Sequence, residues 1–478
     1  MRIMKKYLNC TQHILIIIIL VTGARASEYG DVALVFHTNP GNDISNSGTV
    51  VQTDESRKNP KKFRVIMSSD FPPFPVTNSD PDDVQSMVRF LLYSNEFDVE
   101  GLIASAGTFD MVAEKNNILA VLDEYDKVDE NLRKHDLRYP VADTLRAVTF
   151  EGKGNNNGIQ IQWGCDKQSP YEIIGEGKDS EASNAIIAAA DKPDPRPLWI
   201  GVWGGPREIA QAIWDFRNTR TEAELTAFIS KLRVFLIACQ DATHEWLMSE
   251  FPDLFIIESR STYQGIFGSD DRSWVETNII NNHGPLCAIY PPEAMGGPGV
   301  IEGDTPTFLH LVSANRGIND PADPAQPGWG GQYKREVSTN HWVDGPGKST
   351  ISRWHRQFQA EFKARADWCV QSFEEANHSP VVKLDHPKKL HVKQGATVKL
   401  SMRGTDPDGD KLKYNWMQLN EAGSFEGKIE ILDAGKQDAS FTLPNDATHG
   451  KTIHIICEVI DSGEPPLTSY QRVVVEIE

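Results

Sequence analysis

The chain has 478 residues and a formal net charge of −19, from 48 basic and 67 acidic side chains. This length exceeds that of one small domain, so two domains are expected. Such an acidic surface argues against nucleic acid or an anionic membrane as partner, because both are bound through basic side chains. It is compatible with a neutral ligand, a carbohydrate or a cation.

The first 26 residues have the pattern of a cleaved export signal. Arg2, Lys5 and Lys6 form a basic start, Ile14–Val21 is an apolar run, and the triplet Ala-Arg-Ala ending at Ala26 matches a cleavage site. The apolar run is too short for a comfortable membrane span, and no later segment of the sequence approaches the required length. We therefore expect a secreted or periplasmic protein without a membrane span, cleaved near Ala26. Its mature charge would be −23, since the signal holds four basic and no acidic residues.

A polar segment rich in Gly, Asn and Ser follows at 27–60 and predicts a flexible leader. From 61 to 375, short apolar runs alternate with helical patterns: the strand RPLWIGVWGG precedes the helix PREIAQAIWDF, and the strand KLRVFLIACQD precedes the helix HEWLMSEF. This alternation predicts an α/β domain with an open parallel sheet and helices on both faces. Residues 285–350 break the alternation, and a loop region of that length is usually functional.

The first strand and helix of this domain enclose an acidic loop. The apolar run Phe63–Met67 brings Asp70 to the carboxyl end of a strand, and an amphipathic helix begins near Asp82. A second strand pattern at Asp98–Ala104 completes a βαβ unit. Open α/β sheets bind their ligands outside the carboxyl ends of the strands, so the acidic loop marks the expected site.

Four carboxylates fall within this loop, at Asp70, Asp80, Asp82 and Asp83. Carboxylates so close together repel one another unless they are well solvated or hold a hard cation. Helix capping accounts for one or two of them, but not for four. Without nearby His or Cys, the group favours Ca²⁺ or Mg²⁺ over zinc. A calcium ion there could hold vicinal sugar hydroxyls and a water that one carboxylate deprotonates, which suits hydrolysis at an anomeric carbon.

The composition changes after 376, where about seven short alternating strands predict an all-β, Ig-like sandwich at 376–478. Trp416 is expected in its core. Asp406, Asp408 and Asp410 could bind calcium, but Asp and Gly are also usual turn residues, and the turn is slightly favoured. Five cysteines follow the signal, scattered and odd in number, which permits one or two disulfides and argues against a zinc site. They are Cys165, Cys239, Cys287, Cys369 and Cys457.

The segment SSDFPPFPVTNSDPDDVQSMVRFLLYSNEFDVEGLIASAGTF resembles the calcium site of the inosine–uridine nucleoside hydrolases, with a first Asp after an apolar strand and a DPDD cluster opening a helix. Together with LWIGVWGGPREIAQAI, EGDTPTFLHLV, GWGGQYKR and the stretch from HWVDGPG to RADWCV, it is more closely similar to a secreted family described as cellulose-binding and nucleoside-hydrolase-like. That family joins the domain to a C-terminal Ig-like module. The resemblance covers nearly all of 61–478.

The resemblance implies that Asp82 and Asp83 are the paired calcium-binding carboxylates. Asp70 or Asp80 would be the remaining acid, as ligand or general base. Nucleoside hydrolases have a tight Asp-x-Asp-Pro-Gly-x-Asp-Asp loop, whereas FPPFPVTNS separates Asp70 from Asp80 here, so which acid is the base stays open. The late His-Asp pair of that family is not evident in the sequence either, which leaves leaving-group activation unassigned.

The resemblance also assigns residues outside the acidic loop. Gly204 in GVWGGP would give calcium a backbone carbonyl, and Asp304 in EGDTPTF would complete the site, with Asp344 as the alternative. Asp241 ends a strand and is a candidate for substrate contact, with a buried or capping role as the equal alternative. Several indoles lie in Gly-rich loops where they could stack on sugar faces, and Trp329 is the expected ligand contact among them. These indoles are Trp163, Trp199, Trp203, Trp329 and Trp342.

Three functional hypotheses follow, each with a carbohydrate or nucleoside ligand. The first is an exported hydrolase of glycosidic bonds, N-ribosyl or a related glycan linkage, in which calcium held by Asp82, Asp83 and Asp304 works with Asp70 or Asp80. The second is a non-catalytic polysaccharide (cellulose)-binding protein on a hydrolase-like scaffold. The third is a two-carboxylate glycosidase, for which the tight spacing of the acids assigns no pair. Metal dependence and turnover distinguish the three.

Overall fold

The structure is a computed structural model that describes residues 62–75 and 79–478. The expected export signal at 1–26 and the leader at 27–60 lie outside the described residues. The described residues belong to one structural unit. Within them, no helix combines the length and the apolar character that crossing a bilayer requires.

A large sheet forms the centre of the part that precedes residue 350. The strands of this part are Phe63–Ser69 (β1), Phe97–Ala104 (β2), Thr149–Glu151 (β3), Leu198–Val202 (β4), Leu232–Ile237 (β5), Phe255–Ser259 (β6), Glu293–Ala294 (β7), Gly297–Pro298 (β8), Tyr333–Arg335 (β9) and His341–Asp344 (β10). Eight of them form one sheet in the order β3-β2-β1-β4-β5-β6-β10-β9, while β7 pairs with β8. Neighbours in the large sheet are parallel except β9 and β10. The order reverses between β1 and β4, so the ligand crevice of such a sheet lies at their carboxyl ends.

Helices cover both faces of this sheet, as predicted. They are Pro81–Leu92 (α1), Lys115–Tyr125 (α2), Asp129–His135 (α3), Ala142–Arg146 (α4), Pro170–Ile173 (α5), Glu181–Asp191 (α6), Arg207–Thr219 (α7), Glu222–Lys231 (α8), Thr243–Glu250 (α9), Arg272–Val275 (α10), Gly284–Ala288 (α11), Pro306–Asn315 (α12), Ser349–Ser352 (α13) and His355–Asp367 (α14). Successive residues of β1 point to opposite faces. Val65 and Met67 therefore join a core with α1, α2, α12 and α14, while Ile66 joins another with α6 to α9.

The chain after residue 380 forms two facing β-sheets. Its strands are Val381–Leu384 (β11), Lys389–Val392 (β12), Thr397–Thr405 (β13), Lys413–Gln418 (β14), Asp438–Thr442 (β15), Thr452–Ile460 (β16) and Thr468–Ile477 (β17). One sheet has the order β11-β13-β15 and the other β12-β17-β16-β14. Trp416 is buried in the core that both sheets share, which confirms its expected place. The segment IEILDAG, whose alternating pattern is typical of a strand, forms only a single bridge, between Leu432 and Ser440.

The sandwich packs directly on the larger part. Tyr470 of β17 lies 6.5 Å from both Trp329 and Trp354, measured between ring centroids. Arg353 Nη1 lies 2.7 Å from Glu421 Oε1 across the same junction. This junction buries aromatic side chains that the sequence alone could not distinguish from exposed ones.

Candidate functional site

The acidic loop connects the end of β1 to the start of α1. Asp70 follows the last residue of β1, and Pro81 is the first residue of α1, where its missing N–H costs no hydrogen bond. Asp82 and Asp83 lie in the first turn, where the helix dipole favours negative charge. Asp80 is the N-cap residue, yet its side chain makes no capping hydrogen bond. Capping therefore does not explain Asp80.

Three of the loop acids converge in space. Asp70, Asp80 and Asp83 each place one carboxylate oxygen within 4.8 Å of the other two, and all three side chains are buried. The hydroxyl of Ser69 donates a hydrogen bond to Asp83 Oδ1, which fixes that carboxylate beside the end of β1. The convergence lies at the carboxyl end of β1, where the strand order reverses.

The two remaining predicted acids join the same cluster. Asp304 is buried just before α12, and the neighbouring carboxylates of Asp83, Asp82 and Asp70 add to the burial that raises its pKa. Asp82 is half-buried and accepts a hydrogen bond of 3.2 Å from the backbone N–H of Gly303. We call the five residues together the acidic cluster: Asp70, Asp80, Asp82, Asp83 and Asp304. The tertiary structure thus brings the late acid to the loop acids.

Asp70 is held on one side and unpartnered on the other. Its Oδ2 accepts hydrogen bonds from the backbone N–H groups of Phe109 at 3.3 Å and Asp110 at 3.4 Å. Its buried Oδ1 has no hydrogen-bond partner. A Cβ atom at Gly204 would overlap Oδ1, and one at Gly107 would overlap Oδ2, so glycine is required at both positions. Gly204 therefore lies beside Asp70, and its carbonyl contact with calcium stays a prediction.

Burial and mutual repulsion perturb the acidic cluster. Burial raises the pKa of Asp70 to about 7. It also raises the pKa of Asp80, Asp83 and Asp304 well above the usual range, and neighbouring carboxylates add to the rise. A bound cation would lower these pKa values by attraction and would give a partner to the unpartnered Asp304 Oδ2. An all-oxygen donor set fits Ca²⁺ or Mg²⁺.

A buried glutamine fixes the loop that carries Asp304. Gln85 of α1 donates from Nε2 to the carbonyls of Pro291 at 2.7 Å and Gly299 at 3.0 Å. Its Oε1 accepts from the N–H groups of Ile301 and Glu302, each at 3.0 Å. Sequence analysis did not identify this residue, because nothing in its neighbours along the chain shows that a loop more than 200 positions later covers it.

Arg89, one turn further along α1, also binds this loop. Its Nε lies 2.5 Å from Glu302 Oε2, and both side chains are fully buried. The guanidinium also lies 3.7 Å from the ring centroid of Phe362, and the hydroxyl of Tyr290 donates to Glu302 Oε1 at 2.6 Å. Glu302 has a φ of 41°, which is uncommon for a residue with a side chain. These contacts fix Glu302, which is two residues before Asp304 in the chain.

The structure gives Asp241 the buried, capping role that the sequence analysis set as the equal alternative to substrate contact. The side chain is fully buried. Oδ1 accepts hydrogen bonds from Thr243 N and Oγ1 at 2.7 and 2.6 Å, and Oδ2 accepts from Arg207 N at 3.1 Å. Asp241 therefore holds the first residues of α9 and α7. Burial raises the pKa of Asp241, and these hydrogen bonds offset part of that rise.

Asp344, the alternative to Asp304, is held by the loop that follows β6. It accepts hydrogen bonds from Ser261 Oγ at 2.7 Å and from Thr262 N at 3.1 Å. These contacts fix the turn that follows β6. Asp304, which follows the Gly303 N–H bonded to Asp82, is accordingly taken as the late acid of the cluster.

Trp329 is only 1% exposed, which contradicts its predicted ligand contact, because a sugar cannot stack on a covered indole. It packs against Phe358 and Tyr470, at centroid distances of 6.2 and 6.5 Å. Among the five indoles considered, Trp163 is the exposed one, at 63%. The other three are also buried: Trp199, Trp203 and Trp342.

Trp163 lies on a loop that a disulfide fixes near the site. Cys165 is bonded to Cys239, which follows β5, and this is the disulfide among the described residues. Ile159 and Ile161 of the same loop pack with Ala106, which precedes the Asp70-binding residues in the β2–α2 loop. The other three cysteines that follow the signal are free and buried: Cys287, Cys369 and Cys457. The pairing agrees with the permitted one or two bridges.

An open parallel sheet with an acidic cluster at the reversal of its strand order defines a nucleoside-hydrolase-like protein. Residues 64–333 match the family model described as "Cellulose-binding Sde182, nucleoside hydrolase-like domain". Residues 397–477 match the model described as "Cellulose-binding protein Sde0182, C-terminal domain". The chain belongs to this cellulose-binding, nucleoside-hydrolase-like family.

A solved structure supports the same assignment. It is a nucleoside hydrolase-related hypothetical protein from Saccharophagus degradans that is associated with carbohydrate metabolism, 34% identical, with a TM-score of 0.76, over 87% of this chain and 100% of that chain. A segment of mouse cadherin-23 (EC22-24) is 22% identical over 21% of this chain and 33% of that chain. Its TM-score of 0.17 is too low to indicate a shared fold. No curated protein matches the chain.

Proposed function

We propose that the protein is a calcium-dependent hydrolase of glycosidic bonds, N-ribosyl or a related glycan linkage. The observation that carries this proposal is the convergence of Asp70, Asp80 and Asp83 within 4.8 Å at the reversal of strand order, with Asp304 on the loop whose Gly303 N–H binds Asp82. Two buried carboxylate oxygens of this cluster have no partner in the protein. Buried polar atoms in native proteins almost always have one, so the cluster is built for an additional group.

Asp82, Asp83 and Asp304 would hold the calcium ion, with the backbone carbonyl of Gly204 as a further oxygen. When bound, calcium supplies a water of lowered pKa and ligand positions for vicinal sugar hydroxyls. Asp82 is the half-buried member of the set and borders the solvent side of the cluster. The Gln85 and Arg89 contacts hold the loop of Asp304 against α1.

Asp70 is the favoured general base. Its Oδ2 is fixed by two backbone N–H groups, while its Oδ1 is free to accept a proton from water. Asp80 is the alternative base, since its carboxylate is not used for helix capping. The disulfide between Cys165 and Cys239 supports an exported protein, secreted or periplasmic, because structural disulfides persist in oxidising compartments.

A second candidate function is carbohydrate binding without turnover. Trp163 at 63% exposure and Phe109 at 45% are large exposed aromatic side chains on two loops that pack together beside Asp70. Exposed aromatic rings of this kind stack on sugar faces. The description of the family as cellulose-binding supports this candidate. The two functions are compatible in one protein, and turnover distinguishes them.

Calcium titration calorimetry with parallel assays of sugar release from nucleosides and soluble glucans tests the proposal. The Asp82→Asn/Asp83→Asn variant should lose a calcium equivalent, and Asp70→Asn should lose at least 100-fold in turnover while it keeps calcium. If Asp80→Asn shows that pattern instead, Asp80 is the base. The matched control is Asp123→Asn/Asp126→Asn, which removes the same charge from exposed acids paired with Arg146.

Three results bear on the two candidates. Calcium-dependent release of sugar supports the hydrolase. Tight calcium without turnover, together with binding to insoluble cellulose that Trp163→Ala weakens, supports the binding protein. An unchanged calcium isotherm in Asp82→Asn/Asp83→Asn would overturn the metal site as assigned.

A further inference from the structure

We infer that the protein has a second calcium site, at the junction between the linker and the sandwich. Its carboxylates are Asp406, Asp408 and Asp410, in the loop between β13 and β14, and each places one oxygen within 4.8 Å of the others. The loop is also a turn, since Asp406 Oδ1 accepts from the N–H groups of Asp408 and Asp410, each at 3.0 Å. The turn uses that one oxygen and leaves Asp406 Oδ2 buried without a partner.

A buried acid from another strand supplies the independent evidence for a ligand. Asp461 follows the end of β16 and is only 3% exposed. Its Oδ1 accepts three hydrogen bonds, from Asn377 Nδ2, Gly463 N and Leu467 N, whereas its Oδ2 has none. The next residue, Ser462, donates to Asp410 Oδ1 at 2.9 Å, so the loop of Asp461 lies against the loop of the three acids.

The linker completes the site. Asn377 is buried, and its Nδ2 donates to Asp461 Oδ1 at 3.2 Å and to the carbonyl of Pro465 at 2.7 Å, while its Oδ1 has no partner. The backbone N–H of His378 donates to Asp408 Oδ2 at 2.7 Å. The linker therefore binds both acidic loops, so these three segments lie side by side.

The chemistry of these donors selects calcium. All are oxygen atoms, and three of them, on Asp406, Asp461 and Asn377, are buried and unpartnered. Calcium accepts six to eight oxygen ligands in irregular geometry, whereas magnesium requires a near-ideal octahedron and retains its waters. The site mixes carboxylates from two loops with a linker amide, which fits the less demanding ion.

Calcium at this site would fix the sandwich to the larger part. The ring of His378 stacks on those of Phe373 and Trp368, at centroid distances of 3.9 and 5.2 Å. The linker is thus attached to the larger part by aromatic stacking and to the sandwich by the acidic loops. An ion that bridges linker and loops stabilises the folded junction increasingly as the free calcium concentration rises above its Kd.

The inference does not rest on the proposed function. Its test therefore uses a variant that lacks the calcium site proposed at the acidic cluster. Calcium is titrated into the full chain carrying Asp82→Asn/Asp83→Asn, where one calcium equivalent should remain and should raise the melting temperature. Adding Asp406→Asn/Asp461→Asn should abolish that equivalent and its thermal shift. The control pair Asp385→Asn/Asp438→Asn removes exposed acids of the same sandwich that contact Arg403, and it should leave the equivalent unchanged.

Asp410→Asn provides a second variant, because its half-exposed carboxylate is less central to folding than that of Asp461. It should weaken calcium binding at least tenfold with an unchanged circular dichroism spectrum. The inference is overturned if no calcium equivalent remains when the first site is removed. It is also overturned if that equivalent survives both Asp410→Asn and the Asp406/Asp461 double substitution.

Discussion

Replacement of Gln85 by Leu separates the contribution of this residue to stability from its contribution to the metal site. Leu has nearly the same size as Gln, so the change removes polar atoms without opening a large cavity. The substitution breaks four hydrogen bonds, to Pro291, Gly299, Ile301 and Glu302. All four partners are backbone groups of the segment that leads to Asp304.

The expected loss follows from these four bonds. Each typical hydrogen bond contributes about 1 kcal/mol net, so the free energy of unfolding should fall by about 4 kcal/mol. The N–H groups of Ile301 and Glu302 would also lose their acceptor in a buried environment. The loop should then shift away from α1 and carry Asp304 with it, which weakens calcium binding at the acidic cluster.

Denaturant unfolding and calcium calorimetry together measure both effects. Gln211→Leu is the matched control, since Gln211 is also fully buried and bonds the backbone of Gly175 and the side chain of Asp215. The control should lose about 3 kcal/mol of stability and keep its calcium affinity. If Gln85→Leu folds and binds calcium as tightly as the parent, the positioning argument is wrong. Gln85→Glu, which keeps the acceptor, should show a smaller loss of affinity.

Three further predictions concern stability. The Cys165→Ser/Cys239→Ser variant should lose about 4 kcal/mol of unfolding free energy by denaturant titration, because the bond closes a long loop with a sequence separation of 74. Arg89→Met should cost about 3 to 5 kcal/mol, since it leaves the fully buried Glu302 without its cation. His310 is buried, and burial lowers its pKa from 6.5 to about 4. Below pH 6.5 the unfolded chain takes up a proton at His310 and the folded protein does not. The stability contributed by the buried neutral ring is therefore complete above pH 6.5 and lost as the pH falls towards 4. His310→Gln should flatten that pH dependence by about 3 kcal/mol in urea titrations at several pH values.

Each of these predictions has its own control and contradicting result. Parent protein in reducing buffer should match the disulfide variant, and equal stability of oxidised and reduced parent would contradict the first. Arg272→Met removes one partner of exposed ion pairs, with Glu276 and Glu293, and should cost less than about 1 kcal/mol. An equally small cost for Arg89→Met would contradict the second. The third is contradicted if parent and His310→Gln lose stability in parallel between pH 6.5 and 4.

The sequence was sufficient for features that depend on neighbours along the chain. The apolar run of β1, the acid that follows it and the proline that opens α1 lie within one short segment, so strand, loop and helix follow from local pattern. The convergence of Asp70, Asp80 and Asp83 was predictable for the same reason, because one βαβ connection carries all three. Trp416, in an alternating strand, was correctly expected in the sandwich core.

The place of Asp304 in the cluster depends on packing over long sequence separations. It was proposed from family resemblance, and the contacts that hold its loop come from Gln85 and Arg89, more than 200 positions earlier. No local pattern distinguishes these two residues from solvent-facing polar residues of a helix. The pairing of Cys165 with Cys239 is of the same kind, since five scattered cysteines permit many pairings.

The roles of Asp241 and Trp329 were decided by packing. Both have the residue types of ligand-binding groups, but contacts with distant segments decide whether a carboxylate or an indole is engaged within the protein. Asp241 is used by the first residues of α7 and α9, and Trp329 is covered by Tyr470 from the sandwich. The sequence by itself determined which groups were present and where each strand ended. Only the tertiary structure decided which of those groups remained without a protein partner, because that depends on distant segments that meet only in the folded chain.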